Sequence, residues 1–318
     1  MVADQSLTKL KQDAGSATMP VIPFPQQPFI DPAPGKNNVL VVVGDEINHT
    51  LFDQMTLRGW EVEYVADNRG ALEVLKERPF DLIITAEKTR AKKDLELLRA
   101  IRRVRPHCRM IILTNESTNE DVILALKERA FSIFSKPYSP EALSQIARSA
   151  VEGPCWDDGI EVISAKPDWV CLLARCDAST AERLLQFFDE LIDLPEEEKS
   201  DVAYAFREML MNAIRYGAHF DPTEYVEISY VRGRRMVSCR VKDPGTGFQL
   251  HELYHSAISN PDDNPIQHAL YREATGRPPG GYGILLSRHL VDELVYNETG
   301  NEVLLVKYLD RSSPSEVA

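Results

Sequence analysis

The chain has 318 residues, 43% of them hydrophobic and 27% charged, which is room for two domains of ordinary size, each with its own core. No apolar run approaches the ~18 to 20 residues that a membrane-crossing helix needs, so the sequence predicts no membrane span. The formal net charge of −13 is uneven: residues 1–150 balance 20 Lys+Arg against 20 Asp+Glu, so the whole excess falls in the remainder, which repels nucleic acid and favours a basic protein partner.

The first 36 residues carry Pro20, Pro23, Pro25, Pro28, Pro32 and Pro34, the composition of an extended or disordered tail, with Val21-Ile-Pro-Phe24 as a candidate docking peptide. From 37 to 152 the continuous apolar runs Val39 to Val43, Leu82 to Thr85 and Met110 to Leu113 alternate with amphipathic helical stretches. Such runs are expected of parallel strands buried on both faces, and the βα repeat predicts a doubly wound sheet. The segments Val39-Leu-Val-Val-Val-Gly-Asp45-Glu46, Asp81-Leu-Ile-Ile-Thr-Ala86, Ile112-Leu-Thr114 and Ser135-Lys136-Pro137 together resemble a response-regulator receiver domain. On that resemblance Ala86 stands where the phosphoryl-accepting aspartate is expected and Gly44 where the first of two metal-binding acids is expected. Asp45, Thr114 and Lys136 are kept, and Ile133 takes the aromatic switch position. Without an acceptor carboxylate no aspartyl phosphate forms, and Mg²⁺ loses most of its ligands. The domain is therefore expected to be a pseudo-receiver used for docking or dimerisation, with Glu87 a solvated loop residue.

Residues 159 to 310 form the second expected domain, ahead of a short tail over 311–318. It opens with a strand at Ile160-Glu-Val-Ile163, an apolar stretch from Trp169 to Leu173 and a helix started by Ser179. From Asp201 to Ala213 the apolar residues Val202, Phe206, Met209, Leu210 and Ala213 recur every three or four positions, which is a helix with one buried face. Glu208 and Asn212, four apart, then project side by side, a carboxylate and an amide oxygen able to share one pocket. Mg²⁺ takes oxygen ligands and few protein groups, a task that suits Asn212.

Val226 to Val231 and Met236 to Val241 flank Arg232-Gly-Arg234 as a hairpin does. Asp243-Pro-Gly245-Thr-Gly247 follows the second strand, where a carboxylate can accept a hydrogen bond from the amine of adenine and glycines let a ligand approach the backbone. Pro278-Pro-Gly-Gly281-Tyr-Gly283 runs into the apolar stripe Ile284, Leu285, Leu290, Val291 and Leu294, a glycine loop opening a helix whose free N–H groups attract phosphate. Between the glycine motifs, His251-Glu252-Leu-Tyr-His255 satisfies a zinc-protease pattern, with His268 as the candidate third ligand. The long polar stretch from Gln249 to Pro279 around it, lying between the two glycine motifs, resembles the mobile lid that GHKL ATPases carry over ATP. Glu302 to Lys307 is the closing strand.

The ordered set Glu208-x-x-x-Asn212, Asp243-Pro-Gly245-Thr-Gly247 and Gly281-Tyr-Gly283 resembles the N box and the two glycine boxes of the GHKL (Bergerat-fold) ATPases, best in the branch of anti-sigma factor serine/threonine kinases. That resemblance implies an α+β domain binding ATP and Mg²⁺, with Glu208 as general base, Asn212 as metal ligand, Asp243 as adenine reader, and Gly245, Gly247, Gly281 and Gly283 shaping the pocket. It also implies a STAS-type antagonist or a sigma factor as partner, with a homodimer possible. Two alternatives remain: a module that binds ATP and sequesters a regulator without catalysis, and a histidine-kinase-like ATPase. Five cysteines, an odd number without paired spacing, and the lack of a signal peptide predict reduced thiols and a cytoplasmic protein.

Overall fold

The computed structural model describes residues 37–42, 60–85, 91–153 and 158–309. The proline-rich tail, Gly44, Asp45, Glu46, Ala86, Glu87 and the last nine residues lie outside the described residues.

In the N-terminal half five described strands, β1 Asn38–Val42, β2 Glu61–Val65, β3 Leu82–Ile84, β4 Arg109–Thr114 and β5 Ser132–Ser135, form one parallel sheet in the order β2-β1-β3-β4-β5. The helices α1 Asn68–Glu77, α2 Ala91–Val104, α3 Asn119–Lys127 and α4 Pro140–Glu152 alternate with them. Residues 39–42 of β1 and all of β3 and β4 are buried, whereas the edge strand β2 is not, as a sheet covered on both faces requires. Val39, Val41, Leu82, Ile84, Ile111, Leu113 and Phe134 pack with Leu143 and Ile146 of α4 in this core. Helix starts are fixed by side-chain caps: Asp67 accepts from Gly70 N–H, Ser139 from Ala142 N–H, and Thr118 with Asp121 closes a reciprocal capping box.

The C-terminal half is an antiparallel sheet of β6 Ile160–Lys166, β7 Trp169–Arg175, β8 Tyr225–Arg232, β9 Met236–Lys242, β10 Glu293–Tyr296 and β11 Glu302–Tyr308, in the order β10-β11-β9-β8-β7-β6. The hairpin expected around Arg232 to Arg234 is the β8–β9 pair, with Arg232 opposite Val237. Helices α5 Ala178–Leu191 and α6 Glu196–Asn212 pack on the face where Val170, Leu172, Ala174, Ile228 and Tyr230 are buried. Phe188 of α5 stacks on Phe206 of α6 at 3.7 Å and meets the Tyr230 ring edge-on at 5.8 Å.

Three local expectations are corrected. Helix α5 is opened by Asp177, the capping residue before Ala178, whose carboxylate accepts from Thr180 N–H at 2.9 Å, rather than by Ser179, because an aspartate outside the first turn also meets the helix dipole favourably. Helix α6 begins five residues earlier than its apolar spacing shows, at Glu196, since its first turn is Glu196-Glu-Glu198 and carries no apolar signal. The stripe after the second glycine motif divides: α8 Gly283–Leu290 ends before Val291, and Leu294 belongs to strand β10.

The two halves meet along α5. Arg183, Gln186 and Glu190 recur at helical spacing and so share one face. Arg183 Nε donates to Phe131 O at 2.9 Å and its guanidinium lies 3.9 Å from the Phe131 ring centroid. Gln186 donates to Ile133 O at 3.1 Å. Glu190 accepts from the N–H and the hydroxyl of Ser135, at 2.8 and 2.6 Å, and from Ser117 Oγ at 2.8 Å. Strand β5 thus holds α5, and α5 holds α6, the helix that carries Glu208 and Asn212.

Candidate functional site

Helix α6 ends at Asn212 and runs on as one turn of π-helix, Ala213–Gly217. Such a turn brings the backbone of Gly217 against the residue following β9. A Cβ on Gly217 would collide with the Asp243 carboxyl, and one on Gly245 would come within 2.7 Å of Gly217 O. The Asp243 carboxylate accepts from Gly245 N–H at 2.8 Å. Gly217, Asp243 and Gly245 therefore form one close-packed corner with no room for side chains, beside a half-buried carboxylate. Burial pushes the Asp243 carboxyl above its ordinary value, and the Gly245 N–H opposes that shift.

Gly247 adopts φ +79°, and a Cβ there would strike Thr299 O, so both its conformation and its surroundings demand glycine. The turn before β11 fastens this motif: Asp243 N–H donates to Asn301 O at 2.9 Å, and Asn301 Nδ2 donates to Gly245 O at 3.2 Å.

Helix α8 begins at Gly283 with no side-chain cap at Tyr282, which leaves its first-turn N–H groups available to an anion. A Cβ on Gly283 would collide with Glu208 Oε2, so the carboxylate lies directly against the start of this helix. Among the described residues no hydrogen bond reaches that carboxylate. Burial raises its pKa, with the nearby Arg207 and Arg215 opposing the shift. Gly281 adopts φ +95°, and a Cβ there would approach His255 O to 2.5 Å.

The structure thus brings two groups together. Glu208 lies against Gly283, with Asn212 one turn further along α6, and Asp243 and Gly245 meet through Gly217, with Gly247 against the turn behind. Gly217 and Asn301 were missed by sequence reasoning. The signal for Gly217 was its place five residues past Asn212, where a glycine ends the helix; Asn301 gives no local signal, since it acts through a contact with residues 243 to 245.

His251 and His255 do not share an α-helix. Residues 250–252 form a 3-10 turn, a second covers 257–259, and α7 Gln267–Ala274 follows. Among the described residues no group of three or more His, Cys, Asp or Glu side chains is placed to hold a metal ion. Mg²⁺ bound chiefly by phosphates and water needs no such group. The glycine corner leaves the Asp243 carboxylate able to accept further hydrogen bonds, and the uncapped start of α8 leaves N–H groups able to donate.

Residues 39–148 match the family of response regulator receiver domains, and residues 174–307 match the histidine kinase-like ATPase domain. The chain therefore carries a receiver domain followed by an ATPase domain of a kind that implies ATP binding. It is similar to the transcriptional regulatory protein ZraR of Escherichia coli O157:H7, 31% identical over 114 residues, covering 35% of this chain and 26% of that protein. It is also similar to the transcriptional regulatory protein GlrR of Escherichia coli K12, 28% identical over 99 residues, covering 31% and 22%. The chain spans about a quarter of the length of these curated relatives. Among solved structures it is similar to the chemotaxis protein CheY4 of Vibrio cholerae, at 28% identity and TM-score 0.32, covering 36% of this chain and 99% of that one. A CheY-like receiver domain protein from Methanospirillum hungatei JF-1 matches at 23% identity and TM-score 0.31, covering 36% and 94%. Among the described residues no helix is long and apolar enough to cross a membrane.

Proposed function

We propose that the chain is a cytoplasmic, ATP- and Mg²⁺-dependent protein serine/threonine kinase of the anti-sigma type. Its protein partner would be an antagonist of STAS-type fold or a sigma factor, and its receiver, with Ala86 at the acceptor position, a docking or regulatory module. One observation carries this reading: the half-buried Glu208 carboxylate lies against Gly283 at the start of α8, one helical turn from Asn212.

When bound, ATP supplies the phosphoryl group and Mg²⁺ offsets its charge. Asn212 would hold the metal through its amide oxygen. Asp243 would accept from the adenine amine, since a carboxylate offers only acceptors. Gly245, Gly247, Gly281 and Gly283 leave the space that side chains would fill. Glu208 would take the proton of an incoming Ser or Thr hydroxyl. Its raised pKa brings it nearer the working pH, where a general base is efficient. A histidine kinase would need a phosphoacceptor histidine ahead of the ATPase, and between Ala150 and Glu208 the sequence contains no histidine.

The test is transfer from γ-labelled ATP to the protein that co-purifies with the chain from its native cells. Glu208→Gln keeps the shape of the pocket and loses the base, so it should bind ATP and transfer no label. The wild-type product should survive acid, as phosphoserine and phosphothreonine do. Acid-labile label alone, or transfer by Glu208→Gln at the wild-type rate, would contradict the proposal and favour sequestration without chemistry.

A further inference from the structure

A glycine loop that must hold its N–H groups toward phosphate has little stiffness of its own. Gly280 and Gly281 lie at φ +135° and +95°, and glycine reaches such values freely in either state of the chain. Something else has to fix the loop, and the cover segment over 249–279 provides it. Gly281 O accepts from Ala257 N–H at 2.8 Å and from Ser256 Oγ at 3.1 Å. The Arg272 guanidinium donates through Nε to Pro278 O at 2.8 Å and through Nη1 to His255 O at 3.1 Å. One planar side chain thereby joins Pro278, two residues before Gly280, to His255 in the first part of the cover. Arg272 is nine-tenths buried, and it sits one turn after the fully buried His268 on the inward face of α7, while Leu270 and Tyr271 face solvent.

His268 is itself locked. Asn260 Oδ1 accepts from His268 N–H at 2.9 Å, and Asn260 Nδ2 donates to Pro265 O at 2.6 Å, so the amide has only one orientation. Its Nδ2 therefore donates also to His268 Nδ1, at 2.7 Å, which places the imidazole proton on Nε2. Nε2 is buried and unpartnered among the described residues, and the ring meets Tyr282 edge-on at 4.6 Å. A Cβ on Gly281 would lie 3.3 Å from His268 Cδ2 and 3.4 Å from Arg272 Nη1. A buried imidazole with one nitrogen unused serves here by shape and by a single tautomer.

We infer that Asn260, His268 and Arg272 are positioning residues that clamp the cover onto the Gly280–Tyr282 loop and so pre-set the phosphate end of the nucleotide site. They act through the loop and do not touch the adenine end, which Asp243 serves. This role rests on the nucleotide reading of the site. Arg272 is the member whose removal separates the two ends most cleanly, because its bonds go only to backbone carbonyls.

Binding of Mg-ATP and of adenosine to the full chain, each read by competition against a fluorescent nucleotide, tests the clamp. Arg272→Ala and His268→Ala should each weaken Mg-ATP about tenfold or more and leave adenosine within about twofold of wild type, because loop order matters only to the phosphate end. Arg272→Lys should fall with Arg272→Ala, since one ammonium cannot bridge both carbonyls in the plane of a guanidinium. Methylguanidinium should restore part of the Mg-ATP affinity of Arg272→Ala, and a cut within the cover by trypsin-free proteases should come sooner in both alanine variants. Unchanged Mg-ATP affinity in all three variants, or equal losses for Mg-ATP and adenosine, would overturn the clamp while leaving the nucleotide site standing. Absence of Mg-ATP binding by the wild-type chain would remove the nucleotide reading and the clamp with it.

Discussion

Buried charge is handled in opposite ways at the seam between the domains and at the nucleotide site. At the seam Arg183 is buried, stacked on Phe131 and bonded to Phe131 O and Asp158 O, and Glu190 accepts from both polar groups of Ser135 and from Ser117. At the site the Glu208 carboxylate is bonded by nothing among the described residues, and the half-buried Asp243 carboxylate is met by backbone N–H groups alone, that of Gly245 at 2.8 Å. Satisfied charges fix a geometry; an under-satisfied one retains capacity for a ligand or a proton. The seam is built to hold α5, and through the Phe188–Phe206 stack it holds the helix on which the reactive carboxylate stands.

Arg183→Ala strips two backbone carbonyls of their donor and removes a ring contact, so it should destabilise the chain by about 4 kcal/mol, read by chemical denaturation. Mg-ATP binding by the molecules that remain folded should be little changed. A loss under ~1 kcal/mol would mean that the domains are not fastened there.

The site should behave in the reverse manner. Asp243→Asn keeps an oxygen for Gly245 N–H but turns a donor toward the adenine amine. It should weaken ATP by roughly 30-fold, about 2 kcal/mol, with an unchanged melting temperature. Equal affinity for ATP and GTP in the wild type would remove the adenine-reading role.

The smallest effect concerns pH at the seam. Burial pushes the Glu182 carboxyl from its ordinary 4.5 up to about 7, while its Gln145 partner opposes the shift. Between those values the folded chain holds a proton that the unfolded chain has released, so stability falls as pH rises through that window. Glu182→Gln should flatten this part of the stability profile, and an unchanged slope would show that the side chain is solvated.

Much of this was legible in the sequence, for a physical reason that differs by element. Central parallel strands announce themselves because both faces are buried, as at Val39 and at Met110 to Leu113. Glu208 and Asn212 were legible because a helix turns four residues into neighbours, and the glycines because Gly247 and Gly281 sit where no other residue fits. The start of α6 was not, since Glu196-Glu-Glu198 is a run of charge whose value lies in the helix dipole. Nor were Asn301 and the Asn260–His268–Arg272 set, because each acts through a contact distant in the chain or through a backbone carbonyl, which leaves no periodic trace. The polar stretch over 249–279 reads in the sequence as a mobile cover, and nothing there shows that Arg272 bridges His255 and Pro278 within it.

The most direct test is a calorimetric titration of the full chain with ATP in the presence and absence of Mg²⁺, for wild type and Asn212→Ala. The wild type should bind one ATP per chain with Mg²⁺ present, and Asn212→Ala should lose the Mg²⁺-dependent binding while keeping its fold. Wild-type affinity in Asn212→Ala, or no ATP binding by the wild type, would contradict the assignment of this site.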